Sequence, residues 1–262
     1  MTDLDDLRAD LVAEQGALDT IVAALADTEW LLPTPSAGWN VADQIGHLTY
    51  FDGTAALAVT DPDAFRAGVE SLFASGGGDD FTLGAFRELT PAGQLAAWRA
   101  NRQVLADAAA TLTETTRVGW YGPSMGAKSF LTARLMEVWA HGADVVDAVG
   151  AYRAPTDRLR HIAQLGFITR GWSYSVRGET APAGDVRLEL TSPSGDTWIW
   201  GPDEASVADT VRGSAEDFCL VVTQRRNVDD TDLQAGELGR HWLLRAQAFA
   251  GGPTDVPAPR GS

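Results

Sequence analysis

Residues 136–145 read MEVWAHGADV, and the fold and the function of this protein both depend on how this stretch is interpreted. Glu137 and His141 lie four residues apart within a mostly apolar sequence. On an α-helix, residues at positions i and i+4 lie one above the other, so the carboxylate and the imidazole share one helix face. The pair is then a solvated surface feature, a buried hydrogen bond, or two ligands of a metal ion.

Apolar residues at three- and four-residue steps predict long helices on both sides of this stretch. The helix that carries Glu137 and His141 is predicted over about 129–148. Asn40 is a suitable N-cap, and Pro91 suits a first helical turn. The other predicted helices cover about 3–28, 40–59, 63–74, 91–112 and 156–173, with a loop, SGGGDD, at 75–80. The pattern predicts an all-helical N-terminal domain over residues 1–175, arranged as a four-helix bundle.

The character of the sequence changes after residue 180. In DVRLELTSPSGDTWIW, apolar and charged residues alternate on either side of a Pro-Ser-Gly turn, which is typical of two half-buried strands. The remaining segments predict one strand and two helices: SVADTVRG at 206–213, SAEDFCLVVTQR at 214–225 and QAGELGRHWLLRAQAF at 234–249. A small α/β domain is therefore predicted over 180–250, followed by a flexible Pro- and Gly-rich tail, 251–262. The chain as a whole is predicted to be α+β.

Composition excludes several classes of function. The chain has 262 residues, a formal net charge of −16 and a sequence pI near 4.5. This charge makes nucleic acids and anionic membranes poor partners. No apolar run approaches the ~20 residues that span a bilayer, and the acidic start MTDLDDLRAD lacks the features of a signal peptide. We expect a cytoplasmic protein that acts on small molecules, and a homodimer is left open.

Cys219 is the only cysteine, which excludes a disulfide framework and a cysteine-based zinc site. It lies in the apolar segment AEDFCLVV, downstream of two acidic residues, whereas a reactive thiolate needs an electropositive setting. A buried, inert thiol is therefore predicted. The sequence also lacks the G-x-G-x-x-G and G-x-x-x-x-G-K-[ST] patterns, which argues against a nucleotide-binding loop.

Two of the four histidines lie within apolar helical stripes. His47 lies in WNVADQIGHLTYFD and His141 in LMEVWAHGADVVDA, and either one alone would usually be a core residue. The nearby acids change this interpretation, because Glu137 and Asp144 lie about one turn before and after His141, and a buried carboxylate must be paired or coordinated. The other two histidines carry weaker signals.

His161 and His241 lie beside charged residues. His161 lies in DRLRHIAQLGF and is predicted at the surface. His241 lies in GRHWLLRAQAF, where packing is favoured over contact with a substrate.

A bundle core is a natural place for a metal ion held between facing helices. His47, on the second long helix, would complete a His–Glu–His set with Glu137 and His141. Three protein ligands leave a position for water or substrate, as in catalytic zinc sites, and two histidines with one carboxylate also suit iron(II). From spacing alone, a metal site, a buried polar network and a solvated face all stay open.

Two motifs resemble those of a known family. WNVADQIGHL, in which Trp39 and Asp43 lead into His47, resembles the helix-two motif of the DinB-like proteins. MEVWAHGADVVDA resembles the matching motif of their mycothiol-dependent maleylpyruvate isomerase branch, and VRGSAEDF resembles a segment of its C-terminal domain. The resemblance covers nearly the whole chain. It implies a DinB-like four-helix bundle followed by a small, sterol-carrier-like α/β domain.

The resemblance also implies a divalent metal bound by His47, Glu137 and His141. Zn²⁺ is the usual metal of the family, with Fe²⁺ and Ni²⁺ as alternatives. The family uses mycothiol, a low-molecular-weight thiol, as cosubstrate. A metal-bound thiolate then attacks a small electrophilic metabolite, and the enzyme is an isomerase or an S-transferase. The net charge of −16 argues mildly against a small dianion as the substrate.

Several residues besides the candidate ligands are candidates for supporting roles. Asp144 and Asp43 either orient a ligand or are ordinary acids on the helix surface. Arg134 is a candidate for anchoring a substrate carboxylate. Arg225 and Arg226 either contact substrate or stabilise a helix C-terminus, and the helix-end interpretation is favoured. Several tryptophans fit either an aromatic-lined pocket or core packing: Trp39, Trp120 and Trp139.

Two other functional classes compete with the thiol enzyme. The first is a thiol-independent metal enzyme of specialised metabolism. The second is a non-catalytic protein that binds a small ligand or a metal.

Overall fold

The computed structural model describes residues 4–122 and 124–260. The chain forms two compact units, one that ends at Arg153 and one that begins at Ala154. The sequence analysis places this boundary near residue 175, after the helices that follow Pro155. The structure groups those helices with the second unit. The predicted helix start at residue 3 and the last two residues of the predicted tail lie outside the described residues.

The N-terminal unit is helical apart from a pair of very short strands. β1, Arg117–Val118, pairs antiparallel with β2, Met125–Gly126. The helices are α1 (Leu4–Val22), α2 (Val41–Thr60), α3 (Pro62–Ala74), α4 (Asp79–Arg87), α5 (Pro91–Ala109) and α6 (Ala127–Val149). Four of them, α1, α2, α5 and α6, pack against one another as a bundle. The predicted four-helix arrangement is confirmed.

Local sequence signals explain where several helices begin. Asn40 and Asp43 form a reciprocal capping box at the start of α2, in which each side chain accepts a hydrogen bond from the other's backbone N–H. Thr90 caps α5, and Pro91 occupies its first turn. Both helix starts were predicted, because a cap depends on residues close together in the sequence.

Three features of the unit were not predicted. Helix α1 ends at Val22 rather than near residue 28, because the chain turns into a short 3₁₀ helix that buries Trp30. Helix α4 begins at Asp79, inside the segment predicted as a loop, and buries Leu83. The strands β1 and β2 are too short to leave a periodic pattern in the sequence.

A buried polar cluster links the four bundle helices. The carboxylate of Asp52, on α2, is fully buried and accepts hydrogen bonds from three side chains. Gln15 Nε2 of α1 lies 3.1 Å from Oδ2, Trp98 Nε1 of α5 lies 3.2 Å from Oδ2, and Arg134 Nη2 of α6 lies 3.0 Å from Oδ1. Each bundle helix therefore contributes one member of this cluster. A charge buried in this way is stabilised only because it is paired and hydrogen-bonded.

The C-terminal unit contains a three-stranded sheet with helices, so the chain is α+β. The strand order is β4-β3-β5, with β3 antiparallel to β4 and parallel to β5. The elements are α7 (Leu159–Ile168), α8 (Arg170–Ser175), β3 (Val186–Thr191), β4 (Thr197–Trp200), β5 (Asp209–Ser214), α9 (Ala215–Val222) and α10 (Glu237–Leu243). The predicted strands and both predicted helices are present.

Alternation in β3 places its apolar side chains on one face. Val186, Leu188 and Leu190 are buried, as the two-residue period predicts. Ser214 caps α9 by accepting a hydrogen bond from the Asp217 backbone N–H, 3.0 Å away. Helix α7 packs against α9 and β4, which explains why it belongs to this unit rather than to the bundle. None of the helices in the described parts of the chain is long and apolar enough to cross a membrane.

Asp52→Ala tests the role of the buried cluster. Removing this carboxylate leaves Arg134 buried without its partner, so we expect the free energy of unfolding to fall by about 3–5 kcal/mol. Urea denaturation followed by circular dichroism measures the loss.

The matched control is Asp63→Ala. Asp63 is an exposed aspartate that pairs with Arg66 on the same helix, and exposed pairs contribute little. Its replacement is expected to change stability by no more than about 0.5 kcal/mol. Equal effects of the two substitutions would contradict a structural role for Asp52.

Candidate metal centre

The bundle brings together the three residues that the sequence nominates as metal ligands. His47 lies on α2, and Glu137 and His141 lie on α6, which packs against α2. Glu137 Oε2 lies 3.1 Å from His141 Nε2 and 3.7 Å from His47 Nε2. One ligand atom from each residue lies within 4.8 Å of the other two. Two imidazole nitrogens and one carboxylate oxygen could therefore hold a divalent metal ion.

The register between the two helices creates this convergence. Gln44 contacts His141, His47 contacts Glu137, and Asp52 contacts Arg134. Residue numbers rise along α2 as they fall along α6, so the two helices run antiparallel, with these pairs stacked along their interface. The cluster around Asp52 therefore lies further along the same interface as the ligand set.

Two of the three side chains are partly exposed. His141 is buried, with 7% of its surface exposed. The side chains of His47 and Glu137 are exposed by 18% and 24%. The interpretation of Glu137 and His141 as a fully solvated surface pair is wrong. The exposed fraction of His47 and Glu137 leaves the site accessible to a small molecule.

A chain of hydrogen bonds fixes the orientation of His141. The Trp39 carbonyl can only accept, so the Thr34 hydroxyl, 2.9 Å away, donates to it. Thr34 Oγ1 then accepts from Gln44 Nε2 at 2.8 Å. This orients the Gln44 amide so that Oε1 faces His141 Nδ1 at 2.5 Å. His141 Nδ1 must therefore carry a hydrogen and donate a hydrogen bond to Gln44 Oε1.

The consequence is a concentration of lone pairs at the centre of the site. A neutral imidazole that is protonated on Nδ1 has an unprotonated Nε2. His141 Nε2 then directs a lone pair toward Glu137 Oε2, and His47 Nε2 faces the same oxygen. A cation between these atoms, either a metal ion or an additional proton on an imidazole, is needed to offset their repulsion. The donor set fits a divalent metal for this reason.

Electrostatics at the site favour the ligand forms of two residues. Burial, followed by the nearby His141, lowers the pKa of His47 to about 4, so its imidazole is neutral at pH 7. Burial alone would raise the pKa of Glu137, but the imidazoles of His141 and His47 outweigh this effect, because an additional proton on either ring would face the carboxylate. The pKa of Glu137 therefore lies well below its usual range, and the carboxylate is ionised.

Aromatic rings border the site on two sides. The Trp39 ring stacks near His141, with centroids 6.0 Å apart, and lies 5.1 Å from His47. The Phe51 ring centroid lies 4.6 Å from that of His47. Trp120 packs 6.4 Å from Phe51, whereas Trp139 is buried beneath Arg153. The aromatic-pocket interpretation fits Trp39 and Trp120, and core packing fits Trp139.

The structure decides between the interpretations of the neighbouring acids. Asp43 belongs to the capping box of α2 and forms an ion pair with Arg87, whose Nε lies 2.8 Å from Oδ1. Asp144 is buried and accepts a hydrogen bond from Ser36 Oγ at 3.0 Å. The surface interpretation of Asp144 is wrong, because this face of α6 is covered by the loop that precedes α2.

The arginine candidates have other partners. Arg134 is buried and pairs with Asp52, so it holds the bundle together rather than facing a substrate. In the C-terminal unit, Arg225 Nη1 donates to the Thr223 carbonyl, at the cap of α9, over 2.7 Å. Arg226 Nη1 donates to the Arg225 carbonyl over the same distance. These contacts agree with the helix-end interpretation of the two residues.

The remaining histidines lie in the C-terminal unit. His161 is buried, with 8% of its surface exposed, so its predicted surface position is wrong. Of its charged neighbours in the sequence, Asp157 and Arg158 precede α7 and Arg160 is exposed, whereas the buried face of α7 includes Leu159, His161 and Ile162. His241 stacks on Tyr174, with an interplanar angle of 10° and 3.0 Å between Nδ1 and the Tyr174 hydroxyl. The predicted packing of His241 is present.

Sequence reasoning missed Gln44 and Thr34, which orient His141. Gln44 lies one turn before His47 and is fully buried, but a single glutamine in an apolar stripe has no distinctive spacing.

Sequence reasoning also passed over GPSMG at 122–126, which matches the G-x-S-x-G pattern of hydrolase nucleophiles. Ser124 is exposed, and its hydroxyl accepts a hydrogen bond from Arg117 Nε at 3.0 Å, which does not activate a nucleophile.

Comparison with known proteins identifies the family and its relatives. Residues 11–146 match the family described as the mycothiol maleylpyruvate isomerase N-terminal domain. This segment contains all three candidate ligands. Two uncharacterised proteins of Mycobacterium tuberculosis, from strains CDC 1551 and H37Rv, are each 46% identical over 257 residues. Each alignment covers 97% of this chain and 98% of the relative.

Two crystal structures share the fold. Both are of mycothiol-dependent maleylpyruvate isomerase, and one carries a histidine-to-alanine substitution. The variant aligns with a TM-score of 0.58 and 16% identity, over 89% of this chain and 93% of that chain. The other structure aligns with a TM-score of 0.58 and 15% identity, over 97% of each chain. Similarity at this level of identity extends to the fold.

The burial of Cys219, the only cysteine in the sequence, can be tested by its reactivity toward a thiol reagent. The residue is fully buried, and burial raises its pKa well above the usual range. We expect no reaction with 5,5′-dithiobis(2-nitrobenzoic acid) in the native protein and about one thiol per chain in denaturant. Rapid labelling of the folded protein would contradict the assignment of Cys219 as an inert core residue.

Proposed function

This chain belongs to the mycothiol maleylpyruvate isomerase family, and we propose that it is a metal-dependent enzyme that uses mycothiol to isomerise or conjugate a small electrophile. His47, Glu137 and His141 would hold the metal, with Zn²⁺ as the first candidate. A cytoplasmic location is part of the proposal. The single observation that carries it is the convergence of His47, Glu137 and His141, each of which offers one ligand atom within 4.8 Å of the other two.

The ligand set suits catalysis better than a purely structural metal. Structural zinc sites have four protein ligands, whereas catalytic sites have three and leave a position open. Here three side chains converge, and the exposed fraction of His47 and Glu137 gives a small molecule access. A divalent metal in this place would act as a Lewis acid that lowers the pKa of a thiol and makes its sulfur nucleophilic at neutral pH.

The protein's own residues would hold this arrangement in place. Gln44 Oε1 accepts a hydrogen bond from His141 Nδ1–H, which keeps the Nε2 lone pair directed toward Glu137. Glu137 contributes negative charge between the two imidazoles. Trp39 lies against the rings of both histidines and Phe51 against that of His47, which would restrict the rotation of these rings. Such outer contacts usually tune both the affinity and the geometry of a metal site.

Isomerisation and conjugation share their first step. The thiol gives up its proton, its sulfur forms a bond to one carbon of a double bond conjugated with a carbonyl, and the π electrons move to the carbonyl oxygen. In an isomerase, the former double bond rotates, the electrons return, the C–S bond breaks, and the thiolate that leaves regains its proton. In a transferase, the adjacent carbon takes up a proton in place of the one that the thiol lost, and the conjugate is released. Neither route needs a protein thiol, which agrees with the burial of Cys219.

Elemental analysis is the direct test of the metal site. We expect inductively coupled plasma mass spectrometry to find about one divalent metal ion per chain in the purified protein, since three ligands converge at one point. His47→Ala and Glu137→Ala should each lose most of it. The matched control is His241→Ala, which removes a histidine that stacks on Tyr174 in the other unit and should leave the metal content unchanged.

The same preparations separate the thiol enzyme from its two rivals. Turnover of electrophilic substrates that requires added mycothiol supports the proposal. Full turnover without a thiol would instead indicate a thiol-independent metal enzyme, and metal or ligand binding without any turnover would indicate a non-catalytic binding protein. Metal-free protein with full activity, or metal that is unaffected by both substitutions, would rule out the proposed site.

Gln44→Leu tests whether the orientation of His141 controls metal affinity. The substitution keeps a side chain of similar size but removes the acceptor for His141 Nδ1–H. We expect metal affinity, measured by competition with a chromophoric chelator, to fall about 10–100-fold. Gln44→Glu, which keeps an acceptor at this position, should retain more affinity than Gln44→Leu.

Gln103→Leu is the control for this change. Gln103 lies on an exposed face of α5, where its amide bonds to Asp107, and its replacement should leave metal affinity intact. A Gln44→Leu variant that is folded and binds metal as tightly as the wild type would contradict the orienting role.

A further inference from the structure

A group of aromatic side chains adjoins the candidate ligand His47. Phe51 is its nearest member, with its ring centroid 4.6 Å from that of His47. The group, here called the aromatic wall, consists of Tyr50 and Phe51 of α2, Phe81 of α4, and Trp120 and Tyr121 of the loop between β1 and β2. Three separate segments of the chain therefore place aromatic rings on one side of the candidate ligand His47.

Contacts within the wall are continuous. The Phe51 ring lies 5.0 Å from Tyr50 and 5.6 Å from Tyr121, both nearly edge-on. Trp120 lies 4.9 Å from Tyr121, and Phe81 lies 6.4 Å from Tyr50. Centroid separations in this range are those of favourable aromatic pairs.

The wall differs from an ordinary hydrophobic core in its exposure. Two further rings, Phe65 and Phe130, pack behind Trp120 and are almost completely buried. The members of the wall are only partly buried, and Phe81 is 37% exposed. Burying these rings is favourable, so a partly exposed group beside a candidate catalytic site indicates a surface that a ligand covers.

The charges around the site restrict the chemistry of that ligand. Arg134 is buried and paired with Asp52. Arg87, at the end of α4, pairs with Asp43 at 2.8 Å and lies 3.9 Å from Asp79 and 3.8 Å from Asp80. This acidic group reaches the site itself, because Trp39 Nε1 donates to Asp79 over 2.7 Å.

A dicarboxylate substrate needs arginine or lysine side chains that are available for charge-assisted hydrogen bonds. Arg134 and Arg87 are both already engaged with aspartates. The excess of carboxylates at the rim would also repel an anion. In contrast, partly exposed rings provide favourable contacts to an uncharged aromatic or apolar group.

We propose that the aromatic wall binds the uncharged, aromatic or apolar body of the substrate next to the metal ligands. This inference rests on the proposed function and narrows its substrate class to neutral electrophiles with a substantial apolar or aromatic part. The wall would position the reactive carbon near His47, and the rim around Asp43 and Asp79 would select against dianions.

Two probes that share one ring system test this proposal. Isothermal titration calorimetry on the purified full chain, with metal content measured in parallel, compares 2-naphthol with naphthalene-2,6-dicarboxylate. We expect 2-naphthol to bind at least about tenfold more tightly. Phe81→Ala should weaken 2-naphthol binding about tenfold, because it removes a ring from the wall, and should leave the metal content unchanged.

Phe73→Ala is the matched control, since Phe73 is a 67% exposed aromatic residue of α3 outside the wall. It should leave 2-naphthol binding intact. Equal or tighter binding of the dicarboxylate, or unchanged 2-naphthol affinity in Phe81→Ala, would overturn the proposal.

The metal site and the aromatic wall can be tested separately. If His47→Ala loses the metal but still binds 2-naphthol, this result would support ligand binding by the wall independently of the metal. A wild-type chain without metal that still binds 2-naphthol through Phe81 would refute the proposed function while the wall stands as a ligand site.

Discussion

A single buried carboxylate, Asp52, holds together the bundle on which the rest of the N-terminal unit depends. It accepts hydrogen bonds from Gln15, Trp98 and Arg134, so α1, α2, α5 and α6 each contribute one side chain. Apolar packing alone allows neighbouring helices to shift by a turn, whereas a buried ion pair with fixed partners strongly disfavours every other register. The cost of burying the charge is offset only in the native arrangement.

That register determines the candidate metal centre. The contact between Asp52 and Arg134 fixes α2 against α6, and the same interface then places His47 opposite Glu137 and Gln44 opposite His141. Residues of the site and of the cluster therefore depend on one helix–helix contact. This explains why Arg134, which lies three residues before a candidate ligand, has a structural partner instead of a catalytic one.

The site combines an apolar side with an acidic rim. Phe51 and Trp39 enclose the histidines, and Asp79, reached through Trp39, belongs to the rim that Arg87 only partly neutralises. Burial also keeps the imidazole of His47 neutral. Two imidazole nitrogens and one carboxylate suit a divalent metal, and the surroundings suit an uncharged substrate body. The acidic rim agrees in sign with the net charge of the whole chain, −16, and both disfavour the dianions against which the site is proposed to select.

The sequence by itself determined the helices with strong local signals and the identity of the candidate ligands. Asn40 and Pro91 mark helix starts because capping depends on residues within one turn, and Glu137 and His141 share a face because the helical period requires it. Only the tertiary structure decided which residues meet across helices. The partnership of Gln44 with His141, the burial of Asp144 and His161, and the grouping of α7 with the second unit all depend on contacts between residues distant in sequence. Such contacts leave no periodic pattern in the chain, because they are set by the packing of whole elements rather than by the spacing of neighbouring residues.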